Sequence, residues 1–377
     1  MKIYFISKDV KNLANKECGG GGKSSETLLK HLIELGNDVK IFNSASELKS
    51  GIKSEKPDVV LHQNIQEMVR TQRICEKNDV PLVVTVNSFI SCCTSMHITN
   101  RTKYGEPCYK CSFPKCFKCT FSGLKYTYPS IHLRIRDTLL TPAYYTIRGL
   151  RIRALNKVDK VICISPTMKK MIGLAGVDTQ KIKVIPQPVD PYFLNPPESN
   201  IFEETDIAFI SSTHWFKGAH LAAEAVSKLN NIRLVIAGGN TQTADYVKRT
   251  IRDRVIFAGW LSKDEMKNYY YSAHVVLFPS IWFEGYARAF SEAMMCGKPI
   301  VAFNNGRGAT DYLIHEYNAL ISDFNVEAYA EQIKRLFEDE ALYKRISRNA
   351  REYAKKNFSA DVVARKYEKV FEEVVKK

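Results

Sequence analysis

Short apolar runs rich in Val, Ile and Phe alternate along the chain with segments in which apolar residues recur at helical spacing. That alternation is the signature of βαβ units and a mostly parallel sheet. The first half predicts strands at KIYFIS (2–7), DVKIFN (38–43), PDVVLH (57–62), PLVVTV (81–86), KVICIS (160–165) and IKVIP (182–186). Between them lie helical stretches such as SSETLLKHLIELG (24–36), where Leu28, Leu32 and Leu35 share one face and Gly36 supplies a stop. The second half repeats the scheme with DIAFIS (206–211), RLVIAG (233–238), RVIFAG (254–259), HVVLFP (274–279), PIVAFN (299–304) and NALISD (318–323), followed by helical segments from about residue 326.

The two halves are joined by IPQPVDPYFLNPPESNIF (185–202), with five prolines in eighteen residues. Proline removes backbone donors and blocks helix, so this stretch reads as a linker. The expected organisation is a first α/β domain over 1–186 with a cysteine-rich insertion at about 88–130, a linker over 187–205, and a second α/β domain over 206–357. A helix over 358–377 is expected to pack back on the first domain. The fold class is thus α/β, with two doubly wound, Rossmann-like domains facing each other across a cleft. Open sheets of this kind bind ligands beyond the carboxyl ends of their strands.

A length of 377 residues and a hydrophobic fraction of 45% suit two well-formed cores. No run approaches 18 apolar residues, and the start MKIYFISKDV meets charge at once without a small-residue cleavage site. The expected location is therefore cytoplasmic. The net charge of +15 is unevenly spread: residues 101–160 hold 13 Lys and Arg against three acidic residues, a net of +10. Such a patch suits phosphates, whether of nucleic acid, anionic lipid or substrate, or is simply a solvated basic surface.

Two segments could carry chemistry. ECGGGGKSSE (17–26), with Gly19, Gly20 and Gly21, lies between the first strand and first helix, where backbone amides cradle phosphates. It fails as a Walker A loop, because Glu17 stands where the first glycine is required. In FPSIWFEGYARAFSEAMMCGKPIVAF (278–303), a loop after a strand carries Glu284, a helix is expected from about Gly285, and Glu292 follows about two turns in. Ionised carboxylates accept hydrogen bonds well from vicinal hydroxyls of sugars or ribose. The amides around Gly285 and Tyr286 would open a helix whose positive end suits a phosphate. A bare pair of glutamates eight apart could equally be a surface and a capping residue.

The wider sequence resembles the GT-B glycosyltransferases of glycosyltransferase family 4, the group 1 glycosyl transferases. The resemblance runs in order through GGGGKSSETLLKHLIELGNDVKIF, VICISPTMKKMI, KVIPQPVD, FKGAHLAAEAV, LVIAGG, FEGYARAFSEAM and GKPIVAFNNGRGATDYLIHEYNALI, and so covers essentially the whole chain. It implies a retaining transferase that moves a sugar from a nucleotide sugar, of UDP or GDP type, to a hydroxyl of a glycan or lipid-linked acceptor, without a catalytic metal. It places the acceptor on the first domain and the donor on the second. It further implies that Glu284 contacts the transferred sugar, Glu292 the ribose and Lys217 the diphosphate, with the amides after Glu284 helping to neutralise the leaving group. Ser212 stands where the family has a phosphate-binding Arg, for which His214 or Arg288 are candidate substitutes. Asn87 replaces a histidine after the fourth strand, and it can hydrogen-bond a sugar but cannot shuttle a proton. His62 is a weak alternative and reads rather as a structural histidine. These two departures keep open an inactive or phosphorylase-type relative.

Inside the insertion, PCYKCSFPKCFKCTF sets Cys108, Cys111, Cys116 and Cys119 as two C-x-x-C pairs. Each pair can supply two thiolates to a structural zinc, with an iron-sulfur cluster or free thiols as alternatives and Cys92 and Cys93 as further ligands. The spacer is shorter than in zinc ribbons and fingers. A nucleic-acid binder using this cluster and the basic patch is the alternative function, though two complete α/β domains are not needed for that role, and nucleic acid is not the expected partner. The stretch 131–157 mixes arginines with Leu, Ile and Tyr. It reads either as a basic amphipathic surface for an anionic membrane or diphosphate-bearing lipid, making the protein peripheral, or as core-facing helices with snorkelling arginines.

Overall fold

The computed structural model describes residues 1–7, 20–89, 93, 108–109, 111–123, 131–196, 207–239 and 242–376. Compact units form from Met1–Pro188 with Ala360–Lys377, and from Val189–Ser359. Each contains one six-stranded, all-parallel sheet.

In the first unit the strands are β1 (Lys2–Ile6), β2 (Asp38–Phe42), β3 (Val59–Gln63), β4 (Leu82–Val86), β5 (Lys160–Cys163) and β6 (Ile182–Val184), in the order β2-β1-β3-β4-β5-β6. The chain passes between them through α1 (Gly20–Glu34), α2 (Ala45–Ser54), α3 (Met68–Lys77), α4 (Phe113–Gly123), α5 (Ile131–Leu139) and α6 (Thr141–Lys157), and α7 (Pro166–Leu174) follows β5. Every residue of β3 and β4 is buried, as expected of central strands covered on both faces. Leu28 and Leu32 of α1 are buried against this sheet, and Leu35 is partly so. Gly36, at φ +88°, then turns the chain so that its amide reaches Ile33 and that of Asn37 reaches Leu32. A left-handed residue closing orphan carbonyls in this way is the usual reason a helix stops at glycine.

The second unit orders its strands β12-β11-β10-β7-β8-β9. These are β7 (Ile207–Ile210), β8 (Arg233–Ala237), β9 (Val255–Gly259), β10 (Val275–Phe278), β11 (Ile300–Phe303) and β12 (Leu320–Ser322). Its helices are α8 (Ala219–Ser227), α9 (Gln242–Ile251), α10 (Lys263–Ser272), α11 (Arg288–Met295), α12 (Val326–Glu338) and α13 (Glu340–Phe358). Counted within the unit, the order is the reverse of 3-2-1-4-5-6, so the chain changes direction across the sheet between β7 and β10. Loops leaving the carboxyl ends of two such strands diverge, and the crevice they leave is where these folds hold ligands. Helix α14 (Ala360–Val375) belongs to the first unit, where Val363, Tyr367, Val370 and Phe371 pack with Leu28 and Leu32 of α1.

His62, on β3, illustrates the cost of burying an ionisable group. Its Nε2 donates to the Gln66 carbonyl at 2.8 Å, while Nδ1 is buried without a hydrogen-bond partner. Burial pushes its pKa down from 6.5 to about 4. The native ring is therefore neutral while the unfolded ring takes a proton first. Stability from this group is complete above about pH 6.5 and falls by about 1.4 kcal/mol per pH unit as pH drops toward 4, a loss on the order of 3 kcal/mol. Urea unfolding across that window should show this slope in the wild type and a flatter one in His62→Gln. Parallel slopes would contradict the assignment.

Candidate functional site

Three loops meet beyond the carboxyl ends of β7, β10 and β11. After β7 the chain passes Ser212 and His214, makes a 3-10 turn over Trp215–Lys217, and enters α8 through Gly218 at φ +81°. After β10 it runs through Pro279 and Ser280 to Glu284. A third loop, after β11, holds Asn305 and Arg307. It braces the second: Asn305 Nδ2 donates to the Ser280 carbonyl at 2.5 Å, Arg307 Nη1 to the Ile281 carbonyl at 2.7 Å, and the Glu284 amide to the Arg307 carbonyl at 2.8 Å. Glu284 is thereby fixed at both its backbone and its carboxylate.

That carboxylate is 4% exposed. Its Oε1 accepts from Lys217 Nζ at 2.6 Å and from Ser280 Oγ at 2.5 Å. The lysine is about a third exposed, so the pair has one open side. A buried carboxylate held by a cation and a hydroxyl keeps its orientation without solvent.

Glu292 forms the second centre. Arg288 donates to its Oε1 from Nε at 3.0 Å and from Nη2 at 2.8 Å, and the Tyr270 hydroxyl lies 3.3 Å from Oε2. Tyr270 is fully buried, and its phenol is pushed well above its ordinary pKa, first by burial and then by the Glu292 charge. It stays a neutral donor. Helix α11 begins at Arg288, three residues later than the sequence predicts, because Ala287 is still extended and makes no side-chain cap. Glu292 is therefore one turn in rather than two, and its four-residue separation from Arg288 makes the ion pair.

The other expected positions fall as follows. Arg288 is committed to Glu292, whereas His214 is exposed and gives its amide to Ser212 Oγ at 3.2 Å. Gly285 and Tyr286 precede α11, and the Tyr286 ring packs on Phe290, Tyr312 and Phe358 with centroids 5.2–6.1 Å away. In the first unit, Asn87 follows β4 and Gly21 lies in the first turn of α1; a Cβ on Gly21 would stand 3.6 Å from Asn87 Nδ2. Both line a small cavity with Ser24, Leu28, Thr85, Ile164 and Tyr367. Gly20 opens α1, while Gly19 lies outside the described residues. Sequence reasoning missed Ser280, Tyr270 and Arg307. Ser280 stands four residues before Glu284, which is a faint signal, but nothing in the run Tyr269–Tyr271 distinguishes the middle tyrosine.

Sequence reasoning expects a four-thiolate zinc centre at Cys108, Cys111, Cys116 and Cys119. These four cysteines form no disulfide, and among the described residues no group of three or more His, Cys, Asp or Glu is arranged to hold a metal ion. The Cys111 and Cys116 sulfurs lie 3.0 Å apart. Two thiolates on one tetrahedral zinc, with Zn–S near 2.3 Å, sit about 3.8 Å apart. Contact with Cys116, then burial, pushes the Cys111 thiol pKa upward, and burial does the same to Cys108. Cys92 lies outside the described residues.

Residues 195–353 match the family model of the glycosyl transferases group 1, and residues 40–193 match that of Glycosyltransferase Family 4. The chain belongs to the family 4, group 1 glycosyltransferases. Among curated proteins it is 31% identical over 175 residues to the putative glycosyltransferase YtcC of Bacillus subtilis, covering 42% of this chain and 43% of that protein. The chain covers about half the length of the curated relatives it matches. Solved structures with the same GT-B fold include Anabaena Alr3699/HepE in complex with UDP and glucose, at TM-score 0.68, 16% identity and 99% coverage of both chains. Sucrose-phosphate synthase from Thermosynechococcus elongatus aligns at TM-score 0.69 and 16% identity, covering 99% of this chain and 98% of that one. A glycosyltransferase family does not favour the nucleic-acid alternative. Both glutamate centres lie within the stretch matched to group 1.

Proposed function

We propose that this family 4 glycosyltransferase moves a sugar, with retention of anomeric configuration, from a nucleotide sugar to a hydroxyl of a glycan or glycolipid acceptor. The observation that carries the reading is the pair of buried carboxylates, each held by its own cation, on the segment that follows β10. Glu292, oriented by Arg288 and Tyr270, would accept hydrogen bonds from the ribose hydroxyls. Glu284 would accept from hydroxyls of the transferred sugar, and Lys217, on the open side of its pair, would meet the diphosphate. In the transfer step the bond from the anomeric carbon to the diphosphate oxygen breaks, and the diphosphate takes the electron pair. The acceptor oxygen bonds to the same face of that carbon, and its proton passes to the departing phosphate. Lys217 and the positive end of α11 would stabilise the developing charge. In this reading a catalytic metal is not required, so a chelator should leave the rate unchanged.

The complex of the Anabaena neighbour with UDP and glucose makes a uridine nucleotide the first donor to try. UDP, GDP, ADP and dTDP should be compared by thermal shift on the purified protein. One of them should raise the melting temperature, and Glu292→Ala should abolish that rise without unfolding the protein. Failure of all four to shift the wild type would overturn the reading.

A further inference from the structure

The helices inserted after β4 carry a feature that donor chemistry does not use. Helix α4 turns Phe113, Phe117 and Phe121 outward at four-residue intervals, and α5 does the same with Ile131, Ile135 and Leu139. Residues four apart on a helix share a face, so each helix presents an apolar stripe to solvent. Phe121 is 65% exposed and Leu139 is 72% exposed. Helix α6 adds Tyr144, Ile147 and Leu150, all exposed, from its first half, while Ile152, Ala154 and Leu155 of its second half anchor it in the first unit. Among the described residues of this stretch, the apolar side chains that face the core are those at the end of α6. The helices pack on one another, and Phe113 meets Tyr145 edge to face at 5.8 Å, so the stripes lie on neighbouring helices. Soluble proteins seldom leave so many large apolar side chains together in water without a partner.

The charge on these helices is predominantly positive, with Asp137 paired to Arg136 at 2.8 Å. Between Cys108 and Lys157 the chain carries ten lysines and arginines and one acidic residue, Asp137. Lys115 and Lys118 stand exposed among the phenylalanines of α4, and Arg136 and Arg153 on the neighbouring helices. We propose that α4, α5 and the first half of α6 form a docking face for an anionic lipid bilayer. The apolar stripes would enter the level of the headgroups and upper acyl chains, and the cations would meet lipid phosphates. A two-fold contact with a second copy would set this positive face against itself, which opposes self-association. Among the described residues no helix is long and apolar enough to cross a membrane, so the attachment is interfacial.

The test is flotation of the full chain with vesicles of phosphatidylcholine alone and of phosphatidylcholine mixed with phosphatidylglycerol. It needs neither donor nor acceptor, so its outcome is independent of the glycosyl-transfer reading. The wild type should float with the anionic vesicles and not with the neutral ones, and raised salt should weaken the binding. Phe121→Asp combined with Leu139→Asp removes no buried contact and should keep the wild-type melting temperature while reducing flotation at least tenfold. Three outcomes would overturn the proposal: absence of binding to anionic vesicles, binding unchanged in that double variant, or a dimer by light scattering that the double variant disrupts.

Discussion

Lys217→Met is expected to lower the rate of sugar transfer by about two to three orders of magnitude, the usual consequence of removing one preorganised charge from a developing anion. The same change leaves Glu284 buried with Ser280 as its side-chain partner, since Lys217 Nζ and Ser280 Oγ both donate to the same carboxylate oxygen. Stability should therefore fall as well, by about 1–3 kcal/mol, less than for a fully buried pair because the lysine is about a third exposed. Adding Glu284→Gln removes the stranded charge. The double variant should regain most of the lost stability, measured by urea unfolding, and remain inactive. If it recovers transfer, or if Lys217→Met alone costs less than about tenfold, the pair is a structural brace and its catalytic role falls.

Gly218→Val should destabilise the second unit by about 3 kcal/mol or more. Two independent terms act there. The residue sits at φ +81°, where a β-branched side chain is strained, and a Cβ at this point would lie 2.0 Å from the Pro279 carbonyl oxygen. The obstacle is backbone at the end of β10 and cannot swing aside. Because Gly218 joins the turn carrying Lys217 to α8, any relief would displace that lysine from Glu284. Stabilisation by nucleotide should be lost together with fold stability. A Gly218→Ala variant within about 0.5 kcal/mol of wild type in denaturant unfolding would show that the two backbones do not approach so closely.

The strands of both sheets were legible because buried parallel strands are continuous apolar runs, and VVLH and LVVTV can hardly be read otherwise. Boundaries governed by a single backbone angle were less so: Gly285 suggested a helix start that Ala287, still extended, delays to Arg288. That small shift matters, because it makes Arg288 and Glu292 neighbours on one turn. The two cysteine pairs were plain to see, but their spacing could not tell metal thiolates from thiols in contact. The distance between Cys111 and Cys116 bears on that choice, and it belongs to the packing of α4.

By itself the amino-acid order determined the period and number of the strands, the chemistry available at Glu284, Glu292 and Lys217, and the concentration of positive charge in the insertion. These are local properties, set by neighbours within a few residues. Only the tertiary structure decided that Lys217 meets Glu284 across 67 residues, that Tyr270 reaches Glu292 from another helix, and that the phenylalanines of α4 face water rather than a core. Those facts depend on the order in which parallel strands assemble and on which helix faces find a neighbour. Periodicity along one segment carries no information about either.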